Sequence, residues 1–493
     1  AFARVFLVRN THTGELQAMK RVDRTLLGQL LGQTEEGVRK MIEQEFLHLH
    51  YTNHPHVVRL FDFRQDARYA YFVMEAANGG DLKRLVAELY KKHDGKLSEP
   101  YVADILHQSL YALHYLHQDA RIHKDVKTEN LMLLSQEARR PHVVLIDLGL
   151  AEMVGDDERG PVPAGTLQTM APEVIDTHLG RRPEGFDQRC DIYSLGVVAF
   201  ELFTGKVPYE PVSRNDGSYD YAATRELVET VDVSETLVRQ AGRSPGAVDL
   251  VRRMLSMDPN KRPTALECMR DEWLIGHIER RRRRQRKAEG MHSLSSLSSL
   301  NLSFDIPVTA EEAGERISQA RRGAISMALM EFSNRSAQMR AAAYHLAANM
   351  PISQLARVTE SFKRMDTDLS GDLSYSEMAC VLMDALGVDE HDALYVASCI
   401  DMDRSGAVNF REFAAATTTL CQEREREVLG WVSAALEASG QDGLSFEEVR
   451  KVVEEASGGR IQHADVADWC RAAEHVLEGE ALLDLCRHSS KIS

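Results

Sequence analysis

Apolar and polar residues alternate over roughly the first 75 positions of the chain. The segments ARVFLVRN, LQAMKRV and YAYFVMEA show the two-residue period of β-strands, and a helical segment at about 35–50 interrupts them. From about 100 to 275 the apolar positions follow a helical period, as in YVADILHQSLYALHYLHQ and DIYSLGVVAFELF. The pattern predicts a strand-rich region followed by a mainly helical one.

A change in composition follows these two regions. The basic run ERRRRRQRK occupies 279–287, and the low-complexity stretch SLSSLSSLNLS occupies 293–303. Beyond about 310 the pattern is helical again and rich in Ala, Met and acidic residues. Because 493 residues exceed one hydrophobic core, about two to four domains are expected.

The net charge of the chain limits which classes of binding partner are expected. A net charge of -16 argues against general nucleic-acid binding, whose footprint is basic, whereas calcium-binding proteins are acidic because their ligands are carboxylates. The 7 cysteines contain no CxxC pair and predict reduced thiols in a cytoplasmic protein. No apolar run is long enough for a transmembrane helix. The chain starts at Ala1 within a motif, so a longer natural N-terminus is expected, and its lipid attachment stays open.

Two acidic segments of the C-terminal third repeat one ligand pattern. DTDLSGDLSYSE (366–377) and DMDRSGAVNFRE (401–412) match the twelve-residue EF-hand loop, with Gly371 and Gly406 at the sharp turn. The alternative is an acidic surface loop with chance spacing, which two full matches disfavour. Side chains supply the predicted ligands, apart from the carbonyls of Asp372 and Ala407. The predicted calcium ligands are Asp366, Asp368, Ser370, Asp372, Glu377, Asp401, Asp403, Ser405, Ala407 and Glu412.

The surroundings of these loops fit the same interpretation. Leu373 and Val408 stand where paired loops exchange backbone hydrogen bonds, and an entering helix presents Leu355, Val358, Phe362 and Met365 on one face. Weaker copies follow at 437–448 and 474–485. They lack several ligands, so we expect them to keep the fold without binding calcium.

Nine short motifs occur in a fixed order in the first 275 residues. They are AFARV, AMK, a glutamate nine residues before HPHVV, VMEAANGGD, HKDVKTEN, IDLGLA, MAPE, DIYSLG and DPNKRP. The ordered set resembles a eukaryotic protein kinase domain, which implies a bilobal α+β fold and phosphoryl transfer from ATP with Mg²⁺. Any one of these motifs alone is as compatible with a structural role as with a catalytic one.

The resemblance assigns roles by position. Lys20 resembles the lysine that pairs with the ATP phosphates, and Glu45 the glutamate that holds it. Asp125 would accept the proton of the substrate hydroxyl, and Lys127 would neutralise the transferred phosphate. The resemblance implies an ATP site of Val5, Ala18, Lys20, Met74, Glu75, Ala77 and Met132, magnesium ligands Asn130 and Asp147, and a buried ion pair of Glu173 with Arg262.

The chain departs from the kinase pattern at several positions. Lys124 replaces an arginine, Thr128 a proline, Leu148 a phenylalanine and Thr169 a tyrosine. The segment LAEMVGDDERGPVPAG (150–165) offers no Ser, Thr or Tyr for phosphorylation. We therefore expect an acidic residue, Asp156, Asp157 or Glu158, to face Lys124, and activity without activation-loop phosphorylation.

A kinase domain, a junction and four EF-hand-like repeats together resemble the calcium-dependent protein kinases of plants and protists. The predicted fold class is multidomain α+β, a bilobal kinase followed by an all-α EF-hand domain. The predicted domains are a kinase domain at 1–275, an autoinhibitory junction at 276–350, an EF-hand pair with intact loops at 351–420 and a degenerate pair at 421–493. The resemblance implies that Ca²⁺ releases a block imposed by the junction.

The junction contains the sequence RRGAIS at 321–326. Arg321, Arg322 and Ala324 resemble a pseudosubstrate of basophilic kinases, while an apolar helix face is the alternative. Asp81 and Glu129 resemble groups that read arginines, so protein substrates with basic residues N-terminal to Ser or Thr are expected.

The expected protein is a cytoplasmic monomer that uses ATP, Mg²⁺ and Ca²⁺, and its membrane contact, through 279–287 or the N-terminus, stays open. Two rivals remain: a calcium-responsive pseudokinase scaffold, and a constitutive kinase in which calcium controls location only. The four histidines between 48 and 56 could form a zinc site, but we expect them to take part in ordinary packing of the kinase fold instead.

Overall fold

The computed structural model describes residues 3–11, 14, 16–91, 97–134, 141–153, 164–281, 325–334, 340, 343–344, 347 and 355–417. These residues belong to two compact units, the first built largely from 3–281 and the second largely from 325–417. None of the helices in the described residues is both long and apolar enough to cross a membrane.

A four-stranded sheet opens the first unit, in the order β1-β2-β4-β3. Strands β3 and β4 are antiparallel, with Phe63 opposite Phe72 and the two rings in contact. The elements of this region are β1 (Ala3–Arg9), β2 (Leu16–Asp23), α1 (Arg24–Leu31), α2 (Glu35–His50), β3 (Leu60–Gln65) and β4 (Tyr69–Glu75).

Helix α2 confirms the predicted helical segment, whereas the pattern did not reveal α1. Helix α1 starts where the Asp23 side chain accepts a hydrogen bond from the amide of Leu26, and it buries Leu27. The Thr34 hydroxyl caps α2 in the same way through Gly37, and Val38, Ile42 and Glu45 lie on its buried face. This face brings Glu45 towards the catalytic residues.

The rest of the first unit is mainly helical, as predicted. Nearly every residue of α6 is buried, so α6 forms the centre of this part. Residues 272–281 are also helical, and 3₁₀ turns occupy Leu148–Leu150 and Pro259–Lys261. The helices are α3 (Leu82–Lys91), α4 (Glu99–Gln118), α5 (Pro172–His178), α6 (Arg189–Thr204), α7 (Tyr221–Glu229), α8 (Val233–Glu235), α9 (Pro245–Met254) and α10 (Ala265–Met269).

Two small sheets carry the segments that hold the candidate catalytic residues. One has the order β5-β7-β8 and the other pairs β6 with β9. The strands are β5 (Gly80–Asp81), β6 (Arg121–Ile122), β7 (Leu131–Leu133), β8 (Val143–Leu145) and β9 (Glu152–Met153). The catalytic loop lies between β6 and β7, and Asp147 follows β8.

The second unit contains two helix–loop–helix segments. Its elements are α11 (Ala356–Met365), β10 (Leu373–Ser374), α12 (Tyr375–Leu386), α13 (Glu390–Ile400), β11 (Ala407–Val408) and α14 (Phe410–Thr417), and residues 325–333 are helical as well. Leu373 pairs with Val408, as the loop pattern predicts. Phe362 packs edge-on against Phe410 and Phe413. The entering-helix residues Leu355, Val358 and Met365 are buried, which confirms the predicted face.

Candidate functional site

Lys20, on β2, lies between two carboxylates of distant sequence. Its Nζ is 2.6 Å from Glu45 Oε1 on α2 and 2.7 Å from Asp147 Oδ1 beyond β8. Burial by itself would lower the pKa of Lys20, but the charges of Glu45 and Asp147 raise it above its usual value. The lysine is therefore a fixed cation where the sheet meets the helical part.

Asp125 is the centre of the second group of candidate catalytic residues. Its Oδ1 accepts hydrogen bonds from the Thr166 amide (3.0 Å) and hydroxyl (2.7 Å), and its Oδ2 lies 2.6 Å from Lys127 Nζ. Asn130 Nδ2 donates to the carbonyl and to Oδ2 of Asp125, at 2.8 and 3.0 Å. The carboxylate is thus held in one orientation by three neighbouring side chains.

The residues predicted to hold magnesium fit a hard cation. Asp147 has a left-handed backbone, with φ 64°, that directs it out of the turn after β8. Burial disfavours its charged form, yet Lys20 lowers the pKa of Asp147, so the group is a carboxylate. Because both Asn130 contacts with Asp125 use its Nδ2, the amide oxygen is the atom of Asn130 suited to a metal.

The predicted adenine site lies on several strands of the first unit. Val5 is on β1, Ala18 on β2, and Met74 and Glu75 end β4. The Glu75 amide donates to the Arg59 carbonyl at 3.0 Å, so any contribution of Glu75 to a base would come from its own carbonyl oxygen. Ala77 follows at the turn before β5, and Met132 lies in the middle of β7.

A fully buried aspartate on α6 anchors the backbone of the catalytic loop. Asp191 accepts hydrogen bonds from the amides of His123 and Lys124, at 2.8 and 2.9 Å, and from His117 Nε2 at 2.9 Å. Burial opposes its ionisation, but the bond from His117 keeps the pKa of Asp191 below its usual value. These contacts fix the backbone of His123 and Lys124, the two residues directly before Asp125.

The predicted ion pair of Glu173 with Arg262 is present. The guanidinium contacts both carboxylate oxygens, at 2.6 and 3.0 Å, and Nη1 also donates to the Arg189 carbonyl. Both side chains are almost completely buried. This bidentate geometry joins the first turn of α5 to the loop before α10.

Lys124 has a partner that the sequence analysis did not name. Its Nζ lies 2.6 Å from Glu152 Oε2, and only 6% of its side chain is exposed. Glu152 is on β9, which pairs with β6 immediately before the catalytic loop. Strand pairing thus brings this carboxylate to Lys124, while Asp156, Asp157 and Glu158 lie outside the described residues.

Thr166 is a functional residue that the sequence analysis missed. It bonds to Asp125 and also lies 2.8 Å from Lys127 Nζ. The preceding Gly165 has φ 114°, and a Cβ there would collide with the Lys124 carbonyl oxygen. The sequence signal for this role was the Gly-Thr pair that precedes MAPE. Only glycine lets the backbone at 165 come so close to the Lys124 carbonyl, and this places Thr166 beside Asp125.

The acidic loops of the second unit each bring three of their predicted ligands together. Carboxylate oxygens of Asp366, Asp368 and Glu377 form one group, and those of Asp401, Asp403 and Glu412 form another, each within 4.8 Å. In both loops the final glutamate is fixed by backbone amides: Thr367 donates to Glu377 and Met402 to Glu412, each at 2.7 Å. Gly371 and Gly406 both have φ 93°.

The second loop passes a test of fit for a cation. Burial and the charge of Asp403 raise the pKa of Glu412 to about 8. Such a rise shows that the negative charges repel one another in a poorly solvated place, which a divalent cation would relieve. Oxygen donors at this spacing suit Ca²⁺.

Several predicted features lie outside the described residues. These are the candidate pseudosubstrate residues Arg321, Arg322 and Ala324, and the two weaker loop copies at 437–448 and 474–485. Within the described residues, the clusters of possible metal ligands do not include the histidines between 48 and 56. His54 packs against Tyr111 and Tyr115 instead.

Comparisons with known proteins agree with this geometry. Residues 1–274 match the family model of the protein kinase domain. The chain is 25% identical over 456 residues to calcium-dependent protein kinase 34 of Arabidopsis thaliana, which covers 88% of this chain and 76% of that protein. It is 25% identical over 377 residues to calcium-dependent protein kinase 6 of Plasmodium berghei (strain Anka), covering 76% and 21%.

A third relative matches about half of this chain. The probable serine/threonine-protein kinase fhkD of Dictyostelium discoideum is 28% identical over 267 residues, or 53% of this chain. The chain spans 34% of the length of that relative. The resemblance to calcium-dependent protein kinase 34 covers 88% of this chain and therefore extends past the catalytic unit.

Proposed function

The chain belongs to the protein kinase family, and we propose that it is a calcium-activated serine/threonine kinase that phosphorylates proteins with ATP. The observation that carries this proposal is the placement of two charged groups, Lys20 with Glu45 and Asp147, and Lys127 with Asp125. The segments that carry them are joined where the Ile146 amide donates to the Asn130 carbonyl at 2.9 Å. Phosphoryl transfer depends on positioning and charge stabilisation more than on covalent chemistry, and these residues supply both. ATP with Mg²⁺ would supply the phosphoryl group and the metal charge.

In this mechanism the chain's own residues position the two reactants. Asp125, oriented by Thr166 and Asn130, would accept the proton of the substrate hydroxyl. Lys127 would place a positive charge beside the transferred group. Lys20 would hold the phosphates of ATP, and Glu45 would hold Lys20.

Calcium is proposed as the activating ligand because two loops gather carboxylates at the EF-hand spacing. We place the block in the junction at 276–350, with Arg321 and Arg322 in the substrate site and Ala324 at the acceptor position. Replacing both arginines with alanine should raise calcium-free activity at least several-fold. Unchanged basal activity would exclude this block.

Activity should not need phosphorylation of the activation segment. The pairing of Lys124 with Glu152 supports this, since a built-in carboxylate takes the place that a phosphate would need. Bacterially produced protein should keep its activity after phosphatase treatment. Loss of activity on that treatment would contradict the proposal.

We further propose substrates with arginines N-terminal to Ser or Thr, a monomeric state and a cytoplasmic location. Glu129 is exposed and Asp81 is half-buried, so both can meet a cationic peptide. The negative charges of Asp81 and Glu129 support the preference for basic substrates.

One assay separates the proposal from its rivals. It measures phosphorylation of an arginine-containing serine peptide with and without calcium, for the intact chain and for Asp125→Asn. We expect calcium-stimulated activity in the former and a loss of about 10²–10⁴-fold in the latter. No activity in the intact chain would favour a scaffold, and equal activity in both conditions would favour a constitutive kinase.

A further inference from the structure

A buried carboxylate lies directly behind the catalytic loop and takes no part in the proposed mechanism. Glu201, near the end of α6, is only 4% exposed. Its Oε2 accepts a hydrogen bond of 2.9 Å from the hydroxyl of Thr128, the residue after Lys127. Thr128 is one of the departures from the kinase pattern, where proline is usual and no hydroxyl is available. The substitution at 128 therefore has a specific partner.

The other oxygen of Glu201 is taken by a lysine of the same chain. Lys83 Nζ lies 2.7 Å from Glu201 Oε1, across 118 positions of sequence. The backbone amide of Lys83 also donates to the Thr128 carbonyl, at 3.3 Å, which ties the start of α3 to the catalytic loop. Both oxygens of Glu201 thus have donors from within the chain.

Further acidic residues act on the same lysine. Burial lowers the pKa of Lys83, but its bond to Glu201 and the charges of Glu201, Glu129 and Glu210 raise it overall. Glu129 belongs to the catalytic loop, and Glu210 accepts a hydrogen bond from Gln168 near the activation segment. Lys83 therefore lies in an acidic environment of the kind that would otherwise attract a cationic substrate side chain.

Lys83 and Glu201 line a surface cavity of about 450 Å³. Its walls are mixed: Val86, Val207 and Pro208 are apolar, whereas Lys83, Glu201, Lys206 and Glu210 are charged. Through Thr128 the cavity adjoins the catalytic loop, where a peptide substrate must lie. A volume of this size accommodates one or two side chains of an extended peptide.

We propose that this cavity is a subsite for a substrate side chain and that Lys83 makes it select an uncharged residue over arginine. The inference rests on the proposed kinase function and refines its substrate class. A guanidinium entering the cavity would find Glu201 already bonded at both oxygens and would meet the like charge of Lys83. Arginine recognition is thereby left to Asp81 and Glu129.

The test uses serine peptides that carry a single arginine, or alanine, at each of the six positions before the acceptor. The kcat/KM ratio of the arginine to the alanine peptide is measured for the full chain with calcium. At one position the wild type should show no preference for arginine. Lys83→Met should raise the ratio at that position by about tenfold or more, because a charge-assisted hydrogen bond from the peptide arginine to Glu201 becomes available. Lys83→Arg should keep the ratio low.

Matched variants identify the cause. Glu201→Gln in the Lys83→Met background should abolish the gain, because the carboxylate that reads arginine is gone. This double variant also removes both charges, so it guards against misfolding from an unpaired buried carboxylate. Arg84→Met, which changes an adjacent cation that pairs with Glu88 instead, should leave the ratio unchanged.

The outcomes separate this inference from the proposed function. If all variants phosphorylate the peptides with the same arginine ratio at every position, the subsite proposal is wrong while the kinase proposal stands. If the ratio rises equally in Arg84→Met, Lys83 has no specific role. If the wild type phosphorylates none of the peptides, the proposed function itself fails.

Discussion

The active site of the first unit and the acidic loops of the second hold charge in opposite ways. In the active site each candidate catalytic lysine lies within hydrogen-bonding distance of a carboxylate, Lys20 with Glu45 and Lys127 with Asp125. In the second loop Glu412 has Asp403 as its neighbour and an elevated pKa. The active site is therefore balanced by its own residues, whereas the loop keeps a repulsion between carboxylates that a cation would relieve.

This difference teaches where each ligand should exert its effect. A balanced site can keep its geometry before its substrate arrives, so substitutions there should affect rate more than folding. An unbalanced site stores repulsion, so cation binding there should stabilise the fold and change its pH dependence. Calcium would then act as a conformational signal, and ATP as a reactant.

The largest expected effect comes from removing the central cation of the active site. Lys20→Met should lower kcat by about 10²–10³-fold or more, because both Glu45 and Asp147 lose the charge that orders them. Peptide phosphorylation measures the loss. The same change at the exposed Lys40 on α2 should have little effect, and equal losses in the two variants would contradict the role of Lys20.

A buried balanced pair should also be needed for folding. Arg262→Met leaves Glu173, which is 2% exposed, without its partner, and it should destabilise the first unit by about 3–5 kcal/mol. Urea unfolding followed by circular dichroism measures this change. Arg252→Met removes an exposed pair with Asp249 and should change stability by at most about 1 kcal/mol.

Removing one charge from the unbalanced loop should alter its response to pH. The raised pKa of Glu412 stabilises the folded state at low pH, and this contribution is lost as pH rises from the ordinary value of 4.5 through about 8. With a chelator present, the melting temperature of the second unit should therefore fall from pH 5 to 8.

Glu412→Gln should flatten this fall and weaken calcium binding, and saturating calcium should flatten it in the wild type. Glu390→Gln, an exposed change on α13, is the control and should leave both properties unaltered. A melting temperature that rises over this range in the chelated wild type would show that repulsion at Glu412 does not matter.

The smallest expected effect concerns a link between the two loops. The Tyr375 hydroxyl, at the start of α12, donates a 2.7 Å hydrogen bond to Asp401 Oδ2, the first ligand of the second loop. Tyr375→Phe should weaken calcium binding to the second loop by about fivefold, the effect of one hydrogen bond. Calorimetric titration would show it, and Tyr395→Phe on the exposed side of α13 should bind as the wild type does.

Much of the fold could be predicted because its signals are local. The helix at 35–50, the pairing of Leu373 with Val408 and the buried face of α11 follow from periodicity and loop spacing. Helix α1 could not, since its eight residues lie directly after a strand and bury only Leu27. Short helices of this kind depend on packing more than on intrinsic propensity.

By itself, the sequence determined which residues the proposed chemistry uses. Asp125, Lys127 and Asn130 stand in one loop, and the acidic ligands stand in two others, because the chain's local geometry fixes these spacings. The tertiary structure alone decided the partners across long separations. It paired Lys124 with Glu152, and it placed Lys83 on Glu201. The physical reason is that strand pairing and helix packing determine which charged side chains come into contact, and the amino-acid composition does not contain that information.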